Sequence, residues 1–408
     1  MPINVFRNRN FRLLWFGTVV SASGFAVGNM VIEWIIYATT HTALLLTLLG
    51  IVEFVPMLTI GVFAGALVDR RDRRSLMIMS DIVRACAMAV LAVIVIIMGF
   101  NSIAIFGAVV VISIFGAIFD PASSALLPSL VKKENLTDGN GFLQAGETIA
   151  KIIGSPLGGI LIVLVGIASG FIYNSITFAI SAIAIGMLGV PASMQKVRGP
   201  EEERHEKLLE EVKTGFRFLL GRRALLAMTV TSMILNFFSF YQIYIVVYAL
   251  NILHNGPVVF GLLVGGSSIG YAVGAALIGR LHFEKAPGIW VPLMWGLGGL
   301  PLIFLILIPV TSISIVSMFF EGFLGGMVNT VWVSVIQRVV PEDFLGRYFS
   351  IEGTIGYSMV PAGITFGGFL IALYGVGFAF LLAGISILII GLTMLTRRNI
   401  RSWGREER

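Results

Sequence analysis

Apolar residues along this chain fill runs of about 20 residues or more, the length a helix needs to cross the hydrocarbon of a bilayer. Short polar breaks rich in glycine and proline separate the runs. The pattern predicts helices over 11–38, 44–67, 76–99, 103–126, 142–165 and 169–190, then over 225–250, 258–279, 289–309, 313–336, 349–373 and 376–396. The chain thus divides into a six-helix half at 1–190, a polar joint at 191–224, a second six-helix half at 225–396 and a basic tail at 397–408. Within the joint Leu208, Leu209, Val212, Phe216, Leu219 and Leu220 share one helical face opposite Glu, Lys and Arg, which suits a helix lying on a membrane surface or a short solvated helix. The expected fold class is an all-α membrane protein with twelve spans.

Charge supplies the orientation. The 28 Lys and Arg fall before the first predicted helix, in every second connection, after the last helix, or near adjoining helix ends. The connections at 39–43, 100–102, 166–168, 251–257, 310–312 and 374–375 contain none. Basic loops stay in the cytoplasm, so these six are expected to face outward and both termini inward. The formal net charge of +6 follows from this bias and requires no nucleic-acid partner. Hydrophobic residues make up 57% of the chain and charged residues 12%, against about 45–50% and 25% in a soluble domain, so a water-facing surface cannot be built from them. The start, MPINVFRNRNFRLLW, lacks a cleavable signal pattern, and the first helix is expected to remain in the mature protein. Cys86 is the single cysteine, the four histidines are scattered, and no H-E-x-x-H occurs; neither a metal site nor a nucleophile with partners is legible, and an enzyme is not expected.

Sliding the sequence by 209 residues aligns Val131, Glu134, Leu136, Gly158, Gly159, Leu161, Ile162, Gly166 and Phe171 with Val340, Asp343, Leu345, Gly367, Gly368, Leu370, Ile371, Gly375 and Phe380. Such parallel repeats occur in transporters that handle substrate between two halves. Small residues four apart, at Gly61 and Gly65, Gly154 and Gly158, Gly266, Gly270 and Gly274, and Gly363 and Gly367, let helices approach closely. Pro56, Pro121, Pro156 and Pro361 are expected to bend their helices.

The connection after the second helix reads Gly65-Ala66-Leu67-Val68-Asp69-Arg70-Arg71-Asp72-Arg73-Arg74, which resembles the major facilitator signature G-x-L-x-D-r-x-G-r-r. Asp72 stands where the commonest pattern has glycine. That departure, with Asp81 and Arg84 following, looks like the drug-exporter branch that includes macrolide efflux proteins and enterobactin exporters. Asn10-Phe11-Arg12-Leu13-Leu14-Trp15, Pro121-Ala122, Leu127-Pro128, and Pro341 with Gly346-Arg347 extend the likeness over nearly the whole chain. Gly154-Ser155-Pro156-Leu157-Gly158-Gly159 is similar to the antiporter signature ending G-P-x-x-G-G, with the proline one position late. The resemblance implies two six-helix halves, a central cavity lined by helices 1, 4, 7 and 10, and a cytoplasmic latch between the halves. That latch would draw on Gly65, Asp69, Arg70, Arg73, Arg74, Asp81, Arg84, Gly346 and Arg347.

Acidic groups inside a bilayer cost about 2.5–3.5 kcal/mol each on insertion scales and need an explanation. Glu33, Glu53, Asp120, Glu147 and Glu321 are in that position. Glu147 and Lys151 are four apart and suited to pair. Glu33, Glu53 and Glu321 have no basic neighbour in sequence and, with Asp120, are the candidates to carry a proton. Thr18, Ser21, Asn29 and Glu33 form a polar stripe on helix 1, and Glu321, Gly325 and Asn329 another on helix 10. Helix 7 offers Ser232, Asn236, Phe240, Tyr244 and Tyr248, an aromatic face suited to flat or lipophilic ligands. Expected are a monomeric transporter of the cell membrane without cofactor or metal, and proton-coupled antiport exporting lipophilic neutral or cationic compounds. Export of an endogenous siderophore or lipid-like product is the alternative, and a membrane-embedded enzyme is the reading of another class.

Overall fold

The computed structural model describes residues 2–189, 214, 216–278, 286–341, 344, 345, 348, 352, 356–397 and 400. Among these all regular secondary structure is helical. The principal helices are α1 (Arg9–Thr40), α2 (Ala43–Arg70), α3 (Arg73–Met98), α4 (Ser102–Leu130), α5 (Leu136–Leu164) and α6 (Ala168–Gly186). They are followed by α7 (Arg223–Asn251), α8 (Pro257–Ile278), α9 (Pro287–Leu307), α10 (Thr311–Val339) and α11 (Val360–Thr396). Ten helices among the described residues are long and apolar enough to cross a membrane. Their outward faces are apolar, with Ile103 84%, Leu164 76%, Ile97 75% and Leu373 72% exposed, a surface that water would not tolerate and lipid does.

Local chemistry fixes the helix ends. Asn8 caps α1 by accepting from the Asn10 and Phe11 amides at 2.9 and 3.4 Å, and Asn101 caps α4 through the Ala104 amide at 3.0 Å. Asp72, the departure from glycine in the loop signature, caps α3: its Oδ2 accepts from the Ser75 amide at 2.9 Å. Gly375 interrupts α11 with φ +82°, a left-handed conformation that residues carrying a Cβ avoid. Gly166, its partner in the 209-residue repeat, holds φ +102° between α5 and α6. The two repeats therefore share a backbone turn as well as a sequence register. Pro361 lies in the first turn of α11, where its missing N–H costs little, just after the helical pattern breaks at Met359 within the stretch Gly356–Thr396.

The chain divides into two compact units, Met1–Gly199 with Asn255–Gly265, and Pro200–His254 with Gly266–Arg408. In the first, α1 packs on α5 and α6, α3 on α4 and α6, and α2 on α4. Gly154 and Gly158 of the antiporter-like segment, both buried with Gly159, make the α5 contact with α1. A Cβ on Gly154 would lie 2.8 Å from the Ser23 carbonyl oxygen of α1, and one on Gly158 3.3 Å from that of Val27. Pro156 lies inside α5. In the second unit α8 and α10 meet backbone to backbone, Gly270 and Gly274 over Phe319 and Phe323, and Gly322 and Gly326 over Ser267 and Tyr271. Two further features break the helix pattern. Phe238–Tyr244 of α7 winds as a 3-10 helix, and α9 is interrupted at Gly298, between Pro292 and Pro301.

Candidate functional site

Residues from all six helices of the first unit enclose a cavity of about 340 Å³. The α1 stripe supplies Thr18, Ser21 and Asn29; α2 brings Glu53 and Phe54, α4 brings Phe119 and Asp120, and α5 brings Glu147 and Lys151. Arg84 of α3 and Phe178 of α6 complete the charged and aromatic lining. Glu33 stands outside this lining but within the electrostatic field of Glu53, 20 residues away in sequence. Asp120 interacts with both Arg84 and Lys151, and Glu147 with Lys151 and Asp120. Among the described residues no direct ion pair joins Glu147 to Lys151; the expected pair is opened into a wider group that includes Asp120.

Arg84 is the most constrained member. Its Nη2 donates to Asp81 Oδ1 at 2.5 Å, and both side chains are nearly inaccessible, at 7% and 0% exposure. The guanidinium carbon lies 4.5 Å from the centroid of Phe119 and 4.4 Å from that of Phe178, so the charge is held between two aromatic faces. Three carboxylates, Glu53, Asp120 and Glu147, then face one further cation, Lys151, and the lining is acidic in balance.

In the second unit Glu321 is pinned. Tyr241 Oη donates to its Oε1 at 2.6 Å, and Ser267 Oγ to its Oε2 at 2.6 Å. A helical period of 3.6 residues along α7 passes over Tyr241. The 3-10 segment turns at three residues instead, which sets Phe238, Tyr241 and Tyr244 on one face. Phe240, Tyr244 and Tyr248, expected to line a cavity, are packed inside the unit. Phe240 lies over Gly367, Tyr244 Oη donates to the Ile364 carbonyl at 2.8 Å, and Tyr248 Oη donates to the Leu305 carbonyl at 2.7 Å while also bonding Ser314 Oγ. Asn236 Nδ2 donates to the Gly356 carbonyl at 2.9 Å, and Asn329 Nδ2 to Tyr271 Oη at 2.8 Å.

Of the residues expected at the cytoplasmic latch, Arg73 donates to the Ala125 carbonyl at 2.7 Å and Arg74 to the carbonyls of Ile185, at 3.1 Å, and Gly186. These bonds tie the start of α3 to the ends of α4 and α6 within the first unit. Gly65, Asp69 and Arg70 are described only as part of the α2 backbone. Gly346 and Arg347 lie outside the described residues, as do residues 191–213 and 215 of the polar joint and most of the basic tail.

A helical architecture in two units, with apolar outer faces and a charged internal cavity, defines a polytopic membrane protein. The chain belongs to the Major Facilitator Superfamily, whose sequence profile matches residues 14–363 and 232–408. It is 28% identical to the MFS-type transporter YfiS of Bacillus subtilis (strain 168), over 85% of this chain and 82% of that one. It is 23% identical to macrolide efflux protein A of Streptococcus pyogenes, over 96% of both chains, and 22% identical to the multidrug efflux pump Tap of Mycolicibacterium fortuitum, over 95% and 96%. Among solved structures, the nucleoside transporter NupG superposes with a TM-score of 0.75 at 10% identity, covering 95% of this chain and 98% of that one. That likeness concerns the fold alone.

Proposed function

We propose that this protein is a proton-coupled antiporter that exports lipophilic neutral or cationic compounds across the cell's inner or plasma membrane, working as a monomer. The observation that carries the reading is the acidic, aromatic cavity of the first unit, in which Glu53, Asp120 and Glu147 outnumber Lys151 while Arg84 is engaged by Asp81. An anion entering it would be desolvated against carboxylates, whereas a cation gains both carboxylate and ring contacts. The likeness to macrolide and multidrug efflux proteins supports the same direction and substrate class. The test is competition in proteoliposomes between matched cationic, neutral and anionic dyes, with and without a pH gradient. The cationic member is expected to be favoured by about 5- to 150-fold over the anionic one, an energy of about 1–3 kcal/mol. Preferred transport of the anionic dye would sink this reading and promote the siderophore-like alternative.

Twelve spans with both termini in the cytoplasm are part of the proposal. The 28-residue α2 adds one crossing to the ten apolar helices. The 41-residue stretch Gly356–Thr396, broken at Gly375, is long enough for two crossings of about 30 Å. Single-cysteine labelling in a Cys86→Ala background is expected to reach residues 39–43, 166–168 and 251–257 from outside and residues 70–74 and 191–224 only after permeabilisation. Labelling of residue 205 in intact cells would overturn the topology.

A further inference from the structure

Asp81 is buried outside the cavity, at 0% exposure, yet uses only one of its carboxyl oxygens in its bond to Arg84. Its Oδ2 has no donor in hydrogen-bonding geometry among the described residues, although the Ser181 hydroxyl of α6 lies beside it. Arg84 Nε is likewise buried without an acceptor. The guanidinium lies in the field of two carboxylates, Asp81 on its own helix and Asp120 on α4. Asp120 differs from Asp81 in being exposed to the cavity, where Lys151 and Glu147 of α5 also face it. From α2 Glu53 lines the same space, and from α1 the polar groups there include the Thr18 hydroxyl.

From this geometry, and resting on the export reading above, we infer that Arg84 serves Asp81 and Asp120 alternately, making Asp81 an occluded proton site that is emptied when a cation docks on Asp120. A buried carboxylate that loses its guanidinium is left as an uncompensated charge, so Asp81 takes up a proton on Oδ2 when Arg84 turns to Asp120. A cationic ligand on Asp120 displaces the guanidinium, which returns to Asp81. The Oδ2–H bond then breaks, its electron pair stays on Oδ2, and the proton leaves; one positive charge enters the site and one departs. An exit is at hand. Ser181 Oγ lies 3.2 Å from where a Cβ on Gly17 would stand, so it abuts α1 beside Thr18, whose side chain lines the cavity. The Ser181 hydroxyl beside Asp81, and the Thr18 hydroxyl, buried and without a hydrogen-bond partner among the described residues, are the groups to relay that proton.

Tetraphenylphosphonium binding to the purified full-length protein, followed by calorimetry in buffers of different ionisation enthalpy, counts the protons released. Release per cation bound is expected to be about one proton lower in Asp81→Asn than in the wild type. A second measurement needs no variant: the infrared difference spectrum on binding is expected to lose a protonated carboxyl band that shifts on ¹³C-aspartate labelling. Undiminished release by Asp81→Asn, or a difference spectrum without an aspartic acid band, would overturn the inference while leaving cation export standing. Absence of tetraphenylphosphonium binding by the wild type would sink both.

Discussion

Glu53→Gln is expected to lower pH-driven accumulation of a cationic dye in proteoliposomes by at least about tenfold, equivalent to about 1.4 kcal/mol of lost coupling. Glu33→Gln is expected to match it. Glu53 faces the cavity, and Glu33, outside the lining, lies within its electrostatic field. Two carboxylates so placed repel one another when both are ionised, so one proton shared by the pair is the low-energy arrangement. Replacing either acid by its amide removes that exchangeable proton while keeping the shape of the side chain. Equal losses in the two single variants, with no further loss in the double variant, are the signature of one shared site. Full accumulation in both single variants would exclude the pair and leave Asp120 as the acid to replace next.

Gly322→Ala is expected to lower the thermal midpoint of the detergent-solubilised protein by about 2–12 °C. The added methyl would drive into the Ser267 carbonyl on α8, a backbone atom that cannot swing aside. Overpacking of that kind costs about 1–3 kcal/mol, and in a unit of this size each kcal/mol moves the midpoint by about 2–4 °C. The same insertion would push Ser267 away from Glu321 and lengthen the 2.6 Å bond between them. Gly325→Ala is the control, since its methyl would meet only Tyr271 Cδ2 at 3.8 Å, an ordinary contact. Equal midpoints for the two variants would remove the tight α8–α10 contact as a source of stability.

The membrane class, most helix positions and the repeat were legible along the chain, because each rests on local information. Span length depends on consecutive apolar residues, and the turn shared by Gly166 and Gly375 depends on a residue without Cβ recurring in register. Three of the four members of the α1 stripe, Thr18, Ser21 and Asn29, keep helical spacing and reach the cavity, while Glu33 stands outside its lining. Where the backbone leaves the 3.6-residue period, the pattern of residues misleads. The 3-10 turn in α7 brings Tyr241 to Glu321, and Phe240, Tyr244 and Tyr248 go into packing. Pairing Glu33 with Glu53, placing Arg84 between Phe119 and Phe178, and setting Asp120 against Lys151 all required three-dimensional packing, since each of those meetings joins different helices. Spacing along one helix fixes which residues share a face; which faces meet is decided by how glycines such as Gly154 and Gly322 let helices pack.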